Sequence, residues 1–505
     1  MSVDSTNETG LARAKAAVVN GVSGLLVEAN VASGLPSIGI VGLPDTSVAE
    51  SRHRVRCAIE SSGFPWPMRR ITVSLTPAEV RKSGSGLDLA IAVAILAASG
   101  QVPSGHLADT VLLGELALDG TIHAPRGGLA LALAARQAGV RTVITASTCA
   151  SQVARVPGLD VYSADCLTEA VALVGGCSGA DPVVFGSDTT RTRADEPDMC
   201  DVRGHREAAF ALEVAAAGRH HISITGPPGV GKSLLADRLP GLLADLGDSD
   251  QLDVAAIHSL VGEGWSGPRP PVAKPHHTAS AAALLGAVRG SRVVPGAVTL
   301  AHLGVLVLDE APELARPSLE GLRQPLESGQ VSMHRAGWNG VLPARFQLVI
   351  TANPCPCGQR TGSGRACTCS SLQVRRYAAR LSGPLMDRID IRLRVGKPSA
   401  QNLAEMACES SREIRERVAV ARDRAAHRFA ELPWSCNADI PAGALRRDWR
   451  PSVDGASLLS RFEDEAAGLR GPDRVLRIAW TLADLAGRAR PGSDEIAMAV
   501  AMRGV

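Results

Sequence analysis

The residues best suited to chemistry are Gly226-Pro227-Pro228-Gly229-Val230-Gly231-Lys232-Ser233. An apolar run, HHISIT (His220–Thr225), precedes them, and a helical run, LLADRLPGLL, follows. Strand, glycine turn and helix form the setting in which G-x-x-x-x-G-K-[ST] cradles phosphate. Glycines let the backbone wrap an anion with consecutive N–H groups pointing inward, and the positive end of the next helix adds attraction. Lys232 is expected at the β- and γ-phosphates, and the Ser233 hydroxyl on Mg2+. A second apolar run, GVLVLDE, ends in Asp309-Glu310. Four apolar residues in succession suit a strand buried on both faces of a parallel sheet, whose carboxyl end is where ligands bind. There Asp309 is expected to hold the Mg2+ shell and Glu310 to polarise the attacking water. A third run, Phe346–Thr351, leads to Asn353, an amide that can orient water against the γ-phosphate or can equally be a turn former.

These groups need a scaffold. At 505 residues the chain has room for about three domains. Residues 1–180 show short apolar or alternating runs (GLLVEANV, SIGIVGL, RRITVSL, VLLGELAL, RTVITA) separated by helical patterns, an α/β arrangement. The polar stretch 181–199 reads as a linker. An ATPase core is expected over 200–397 and an α-helical lid over 398–505, where Pro433 and Pro451 interrupt the helical pattern.

Net charge is +2, so global charge argues neither for nor against nucleic acid. Arg375–Lys397 carries seven Arg or Lys against two Asp, and Arg412–Arg428 six Arg against three acids. Such runs serve a polyanion partner or simply a solvated helix face. The polar MSVDSTNETG start and the lack of a long uncharged apolar stretch lead to an expectation of cytoplasmic location without membrane association. The eleven cysteines are then expected to be mostly reduced. Four are clustered: Cys355 and Cys357, then nine residues, then Cys367 and Cys369. Four thiolates on a Gly-rich loop suit a closed tetrahedral zinc site, although C-x-C is tighter than the usual C-x2-C; a free, oxidisable cluster is the alternative.

GPPGVGKS, PHHTAS (Pro275–Ser280), LAHLGVLVLDE, QPLESGQVSMHRA, LPARFQLVITANPCPCG and SGPLMDRIDI occur in this order. Together they resemble the YifB/ComM family of magnesium-chelatase-like AAA+ ATPases over essentially the whole chain. The resemblance implies an α/β P-loop AAA+ core with hairpin inserts, a helical lid, a homo-hexameric ring and ATP with Mg2+. It also implies a motor on DNA, since ComM-type members are branch-migration helicases. The rival is a chelatase-like machine that remodels a protein complex. By position in the family's motif, Arg388 of MDRIDI is the arginine finger that reaches the neighbouring subunit's γ-phosphate. One of Arg470 and Arg474, four residues apart on a helix, is expected to be a sensor arginine acting in cis. Leu326–Phe346 is expected to form a β-hairpin with His334, Arg335 and Trp338 near its turn. With Lys274, His276 and His277 of the preceding insert, these are candidate DNA contacts, cations gripping phosphate and an aromatic for stacking.

The first 180 residues resemble the Lon-protease domain. A Lon-type peptidase needs a Ser nucleophile in its Gly-rich turn and a Lys on the helix after its GG pair. Here the nucleophile position falls on Gly86, with Ser83 and Ser85 nearby, and the helix after Gly127-Gly128 reads LALALAA with no Lys. The expectation is a peptidase-dead domain kept for assembly or binding.

Overall fold

The structure is a computed structural model describing residues 11–17, 24–44, 46–76, 85–104, 106–176, 180–186, 196–265, 267–289, 292–335, 338–360, 366–399, 409–465 and 470–504. The N-terminal part is built on strands β1 (Leu11–Ala17), β2 (Gly24–Ala32), β3 (Ser37–Val41), β4 (Arg70–Thr76), β5 (Thr110–Leu113), β6 (Thr142–Thr145) and β7 (Asp160–Ser163). They form one mixed sheet in the order β3-β4-β2-β1-β5-β6-β7. Helix α1 (Thr46–Ser61) packs beside α2 (Asp88–Ala98). Every residue of α2 is buried, as expected of a helix apolar on all sides. Its one charge, Asp88, accepts from Arg54 of α1 at 2.7 and 3.2 Å. An isolated carboxylate there would be costly to bury.

Gly86 begins the approach to α2, and a Cβ on it would lie 3.0 Å from Pro125. Ser83 and the Ser85 side chain lie outside the described residues. Helix α3 (Gly128–Gln137) follows Gly127, whose φ is 73°. It turns Leu129, Leu131, Ala132 and Ala135 into a core shared with Ala255 and Ala256, not a catalytic base toward Gly86.

The central part holds α4 (Arg206–Gly218), β8 (Ile222–Thr225), α5 (Lys232–Ala236), α6 (Asp248–Ser259), β9 (Val272–Ala273), β10 (Gly286–Arg289), β11 (Arg292–Pro295) and β12 (Val305–Leu308). It continues through β13 (Gln330–Arg335), β14 (Trp338–Pro343), β15 (Gln347–Ala352), α7 (Ser371–Ala378) and β16 (Ile391–Arg394). Strands β9-β12-β15-β8-β16 make one sheet, parallel throughout. All four positions of β12 and all six of β15 are buried, the pattern of strands covered on both faces.

The C-terminal helices are α8 (Ser411–Arg428), α9 (Ala442–Arg447), α10 (Val453–Glu465), α11 (Arg470–Ala486) and α12 (Ser493–Met502). Ser410 and Glu413 form a capping box at the start of α8, which satisfies otherwise orphaned N–H donors. Val418, Ala421, Val475 and Ile478 join Ile222, Ile224 and Leu212 in one core cluster, so this lid shares an interior with the sheet.

The stretch 181–199, read as a linker, is structured at both ends. The Val183 N–H donates to Val161 O at 2.7 Å, extending the edge of β7. Glu196 accepts two 2.7 Å hydrogen bonds from Arg269 of the central part. Polar composition hid both anchors, because the first uses backbone donors and the second a partner 73 residues away.

Candidate functional site

The glycine turn leaves β8 at the carboxyl end of the sheet. A Cβ on Gly226 would meet Val395 O at 2.3 Å, so only glycine fits there. Gly231 has φ 91° and caps α5 directly, a left-handed conformation that suits glycine. Lys232 is nearly buried (9% exposed) and its Nζ donates to Pro227 O and Asn353 Oδ1, each at 2.9 Å. Burial lowers the Lys232 pKa, opposed by Asp309 and Glu310. An ammonium tethered this way stands ready to exchange neutral acceptors for phosphate oxygens.

The Ser233 hydroxyl donates to the Asp309 carboxylate at 3.0 and 3.1 Å, and Thr351 also donates to Asp309. These hard oxygens are the donor type Mg2+ prefers. Glu310 follows with φ 50°, a strained value for a residue with a side chain. Its N–H donates to Thr351 Oγ1 at 2.9 Å, which holds the turn, and its side chain is exposed. Lys232, Ser233, Asp309, Glu310 and Asn353 thus converge from β8, β12 and β15.

Tyr377 of α7 joins them without having been anticipated. Burial, then the nearby Glu313, pushes its phenol up to about 12, and it is hydrogen-bonded to Glu313 and the Asn353 backbone. Its only sequence signal is a lone Tyr in an arginine-rich helix.

Arg388 and Arg474 lie at the other end of the sheet. Arg388 is buried, pairs with Glu327 and donates to Pro384 O at 2.5 Å. Arg474 donates to Asp390, the residue just before β16, and Ile391 pairs with Ile222 at the beginning of β8. Burial would raise the Asp390 carboxyl, but Arg474 and then His220 hold it well below the usual range. From Ile222 to Thr225 the chain advances roughly 10 Å before the glycine turn begins. Of Arg470 and Arg474, one of which is expected to act in cis, Arg474 is carried by α11 to the amino ends of the strands, away from its own Lys232. Arg388 and Arg474 share a 380 Å3 cleft with Arg219, Arg345 and Arg477. The Arg470 side chain lies outside the described residues.

The four clustered cysteines come together. Cys355 Sγ lies 3.4 Å from Cys357 Sγ and 3.6 Å from Cys367 Sγ, and Cys357 Sγ is 3.7 Å from Cys367 Sγ. All four sulfurs, Cys369 included, lie within 4.8 Å of one another. Among the other described cysteines Cys149 and Cys436 are buried, Cys57 and Cys166 half-buried and Cys200 exposed.

The hairpin over Leu326–Phe346 forms as β13 and β14, with His334 opposite Asn339 and Arg335 opposite Trp338 in register; the side chains of these tip residues lie outside the description. A second hairpin, β10–β11, ends with Arg289 opposite Arg292. Val288, Val293, Val331 and Met333 pack the two hairpins into one core. The alternating V-R-G-S-R-V-V pattern around Gly290 was the overlooked signal for it. Lys274 is not at a hairpin tip. It follows edge strand β9, and its Nζ contacts Asp237, just after α5, at 2.8 Å. His276 and His277 stack at 4.0 Å in the same segment.

A cleft of about 1250 Å3 opens beside the glycine turn, lined by Val202, Gly204, His205, Val395, Ile414 and Arg417 among others. Glu213 accepts from Arg417 at 2.7 and 2.9 Å on its wall. The packing of α8 over the DVRGH stretch (201–205) makes it a wall of this pocket.

Comparison with known proteins agrees with this architecture. Residues 198–403 match the family described as magnesium chelatase, subunit ChlI, residues 27–148 that described as subunit ChlI of Mg-chelatase, and residues 408–503 its C-terminal family. An uncharacterized protein of Mycobacterium tuberculosis is 44% identical over 98% of both chains. The uncharacterized protein YifB of Escherichia coli is 38% identical over 91% of this chain and 90% of its own. Competence protein ComM of Haemophilus influenzae is 36% identical over 94% of each. With a parallel-sheet core, a glycine turn feeding α5 and a helical lid all in place, the chain belongs to the YifB/ComM family of magnesium-chelatase-like AAA+ ATPases.

Proposed function

We propose that the chain hydrolyses Mg·ATP at sites completed between subunits of a hexameric ring and uses the energy to move DNA through branched recombination intermediates.

The observation that carries this reading is the division of the site between two ends of one sheet. Lys232, Ser233, Asp309, Glu310 and Asn353 gather at the carboxyl end, and Arg388 and Arg474 at the amino end. The arginines lie away from their own glycine turn, Arg388 held by Glu327 and Arg474 by Asp390, on the end of the sheet that would face the turn of an adjoining copy. In that arrangement the turn's N–H groups and Lys232 bind the phosphates, and Ser233 and Asp309 would hold an Mg2+ ion, which would supply charge neutralisation there. Glu310 takes a proton from the attacking water, which Asn353 orients, and Arg388 neutralises charge building on the transferring phosphoryl group. The cleft beside Val202, His205 and Ile414, with walls of mixed apolar and charged character, has room for the base.

Subunit sharing is tested by mixing Arg388→Ala chains with Lys232→Ala chains. Each variant alone is expected to be inactive, and mixed rings to recover part of the ATPase activity at interfaces where an intact Lys232 meets an intact Arg388. Verified mixed rings without recovery would refute it.

DNA is the favoured substrate because two packed hairpins bring Arg289, Arg292, His334 and Arg335 to their ends in register, and cationic tips suit a phosphate backbone. Remodelling of a protein complex, the rival, gives ATPase activity indifferent to DNA. The N-terminal part serves assembly or binding and not peptide hydrolysis, since α3 offers no lysine. Among the described residues no helix is long and apolar enough to cross a membrane.

A further inference from the structure

We infer that Cys355, Cys357, Cys367 and Cys369 hold one Zn2+ as four thiolates, and that this knot sets the positions of Asn353 and Pro228 at the phosphate site. The second half rests on the ATPase reading above; the first does not. A tetrahedral site with Zn–S near 2.3 Å requires sulfur separations of about 3.8 Å. The three measured separations are 3.4, 3.6 and 3.7 Å, and the fourth sulfur falls within the same 4.8 Å limit. A disulfide would instead draw one pair to about 2.05 Å and leave the others apart. Four sulfur ligands leave no open position, so the metal's part is structural.

Three connections join the knot to the phosphate site. Cys355 lies two residues after Asn353, whose Oδ1 accepts from Lys232 Nζ at 2.9 Å. Gly358, with φ +74°, sits so close to the phosphate loop that a Cβ would lie 2.5 Å from Pro228 Cδ. Cys369 directly precedes Ser370, whose capping box with Gln373 starts α7, and α7 carries Tyr377 to the Asn353 backbone. Clamping Cys355 to Cys369 therefore fixes β15, the glycine turn and α7 against one another.

The test uses the full chain purified under reducing conditions without chelator. Metal analysis is expected to give about one zinc per chain, and the Cys367→Ser/Cys369→Ser variant to lose it. Stripping zinc from the wild type is expected to speed hydrogen exchange at the amides of residues 226–233, with ZnCl2 restoring protection. It is also expected to lower kcat about tenfold or more while nucleotide affinity changes far less, because misplacing an orienting group costs turnover before binding. Gly358→Ala should keep its zinc and still lose turnover. A wild type without zinc but with four titratable thiols, or with iron in its place, overturns the site. Unchanged exchange and kcat after stripping overturn the coupling. A zinc-loaded wild type with no ATPase activity overturns the ATPase reading instead, and the exchange experiment then decides the coupling alone. Should the double variant be insoluble, the stripped wild type carries the same comparison.

Discussion

Replacing Arg388 by Ala separates a transition-state role from a structural one. Its carboxylate partner, Glu327, is 56% exposed although Arg388 itself is only 9% exposed, so giving up that pair costs about 1–2 kcal/mol. An arginine supplied to a transferring phosphoryl group contributes about 10³–10⁵ in kcat, or roughly 4–7 kcal/mol. The second quantity exceeds the first, so Arg388 can leave Glu327 for a neighbour's nucleotide with little loss. Arg388→Ala is therefore expected to lower kcat about 10³-fold or more with nucleotide affinity nearly unchanged, because binding rests on Lys232 and Ser233. Glu327→Ala, which only releases the arginine, is expected to stay within about thirtyfold of wild type, the equivalent of about 2 kcal/mol. Steady-state phosphate release, fluorescent-nucleotide titration and a sizing run on each variant make the comparison. The reasoning is refuted if Arg388→Ala retains more than about a tenth of kcat, or if assembled Glu327→Ala falls as far as Arg388→Ala.

Other expectations follow from the same geometry. Glu310→Gln should bind ATP and lose turnover, since its carboxylate faces out beyond the phosphate-binding groups, whereas Lys232→Ala should lose binding; near-normal hydrolysis by Glu310→Gln in a phosphate-release assay would remove its assignment as the base. Burial holds His221 and His302 down to about 4, while both titrate near 6.5 when unfolded. The unfolded chain thus binds more protons between pH 6.5 and about 4, and stability should fall as pH falls through that window, by up to about 1.4 kcal/mol per pH unit per histidine. Urea unfolding at pH 7 and pH 5 checks this, and His302→Gln should flatten the dependence. Ala256→Asp, placing a charge in the core shared by α3 and α6, should loosen the N-terminal part from the ATPase core, read as faster proteolysis near residues 180–196, and leave nucleotide affinity nearly intact; unchanged proteolysis would argue against that shared core.

The phosphate site was legible because its signals are local. Glycine spacing, the apolar runs of β8, β12 and β15 and the polar residue closing each run sit within a few positions of one another. Parallel pairing then brings their carboxyl ends together without further information. The β13–β14 hairpin was legible for the same reason. Arg474 was not, because its place depends on which end of the sheet α11 docks against, and that is decided by Asp390, 84 residues away. Nor does a local pattern show that the edge pairing of β9 with β12 carries Lys274 to Asp237. The cleft wall at Val202–His205 was not legible, because the α8 surface that completes it is about 200 residues away in sequence and no local pattern reports it. Tyr377 escaped notice likewise, since its pairing with Glu313 joins α7 to the turn after β12.

The most direct measurement is ATP-dependent processing of a movable four-way DNA junction by the assembled full chain, with ATPase rates followed without DNA and with duplex, single-stranded and junction DNA. The account expects junction DNA to stimulate hydrolysis, the junction to resolve into two duplexes only when ATP is hydrolysed, and binding to weaken steeply with salt as bound cations are displaced. Arg335→Ala should reduce the stimulation and leave the DNA-free rate intact. A verified ring with active ATPase that neither binds nor processes branched or single-stranded DNA at low salt would contradict the account and leave remodelling of a protein complex in its place.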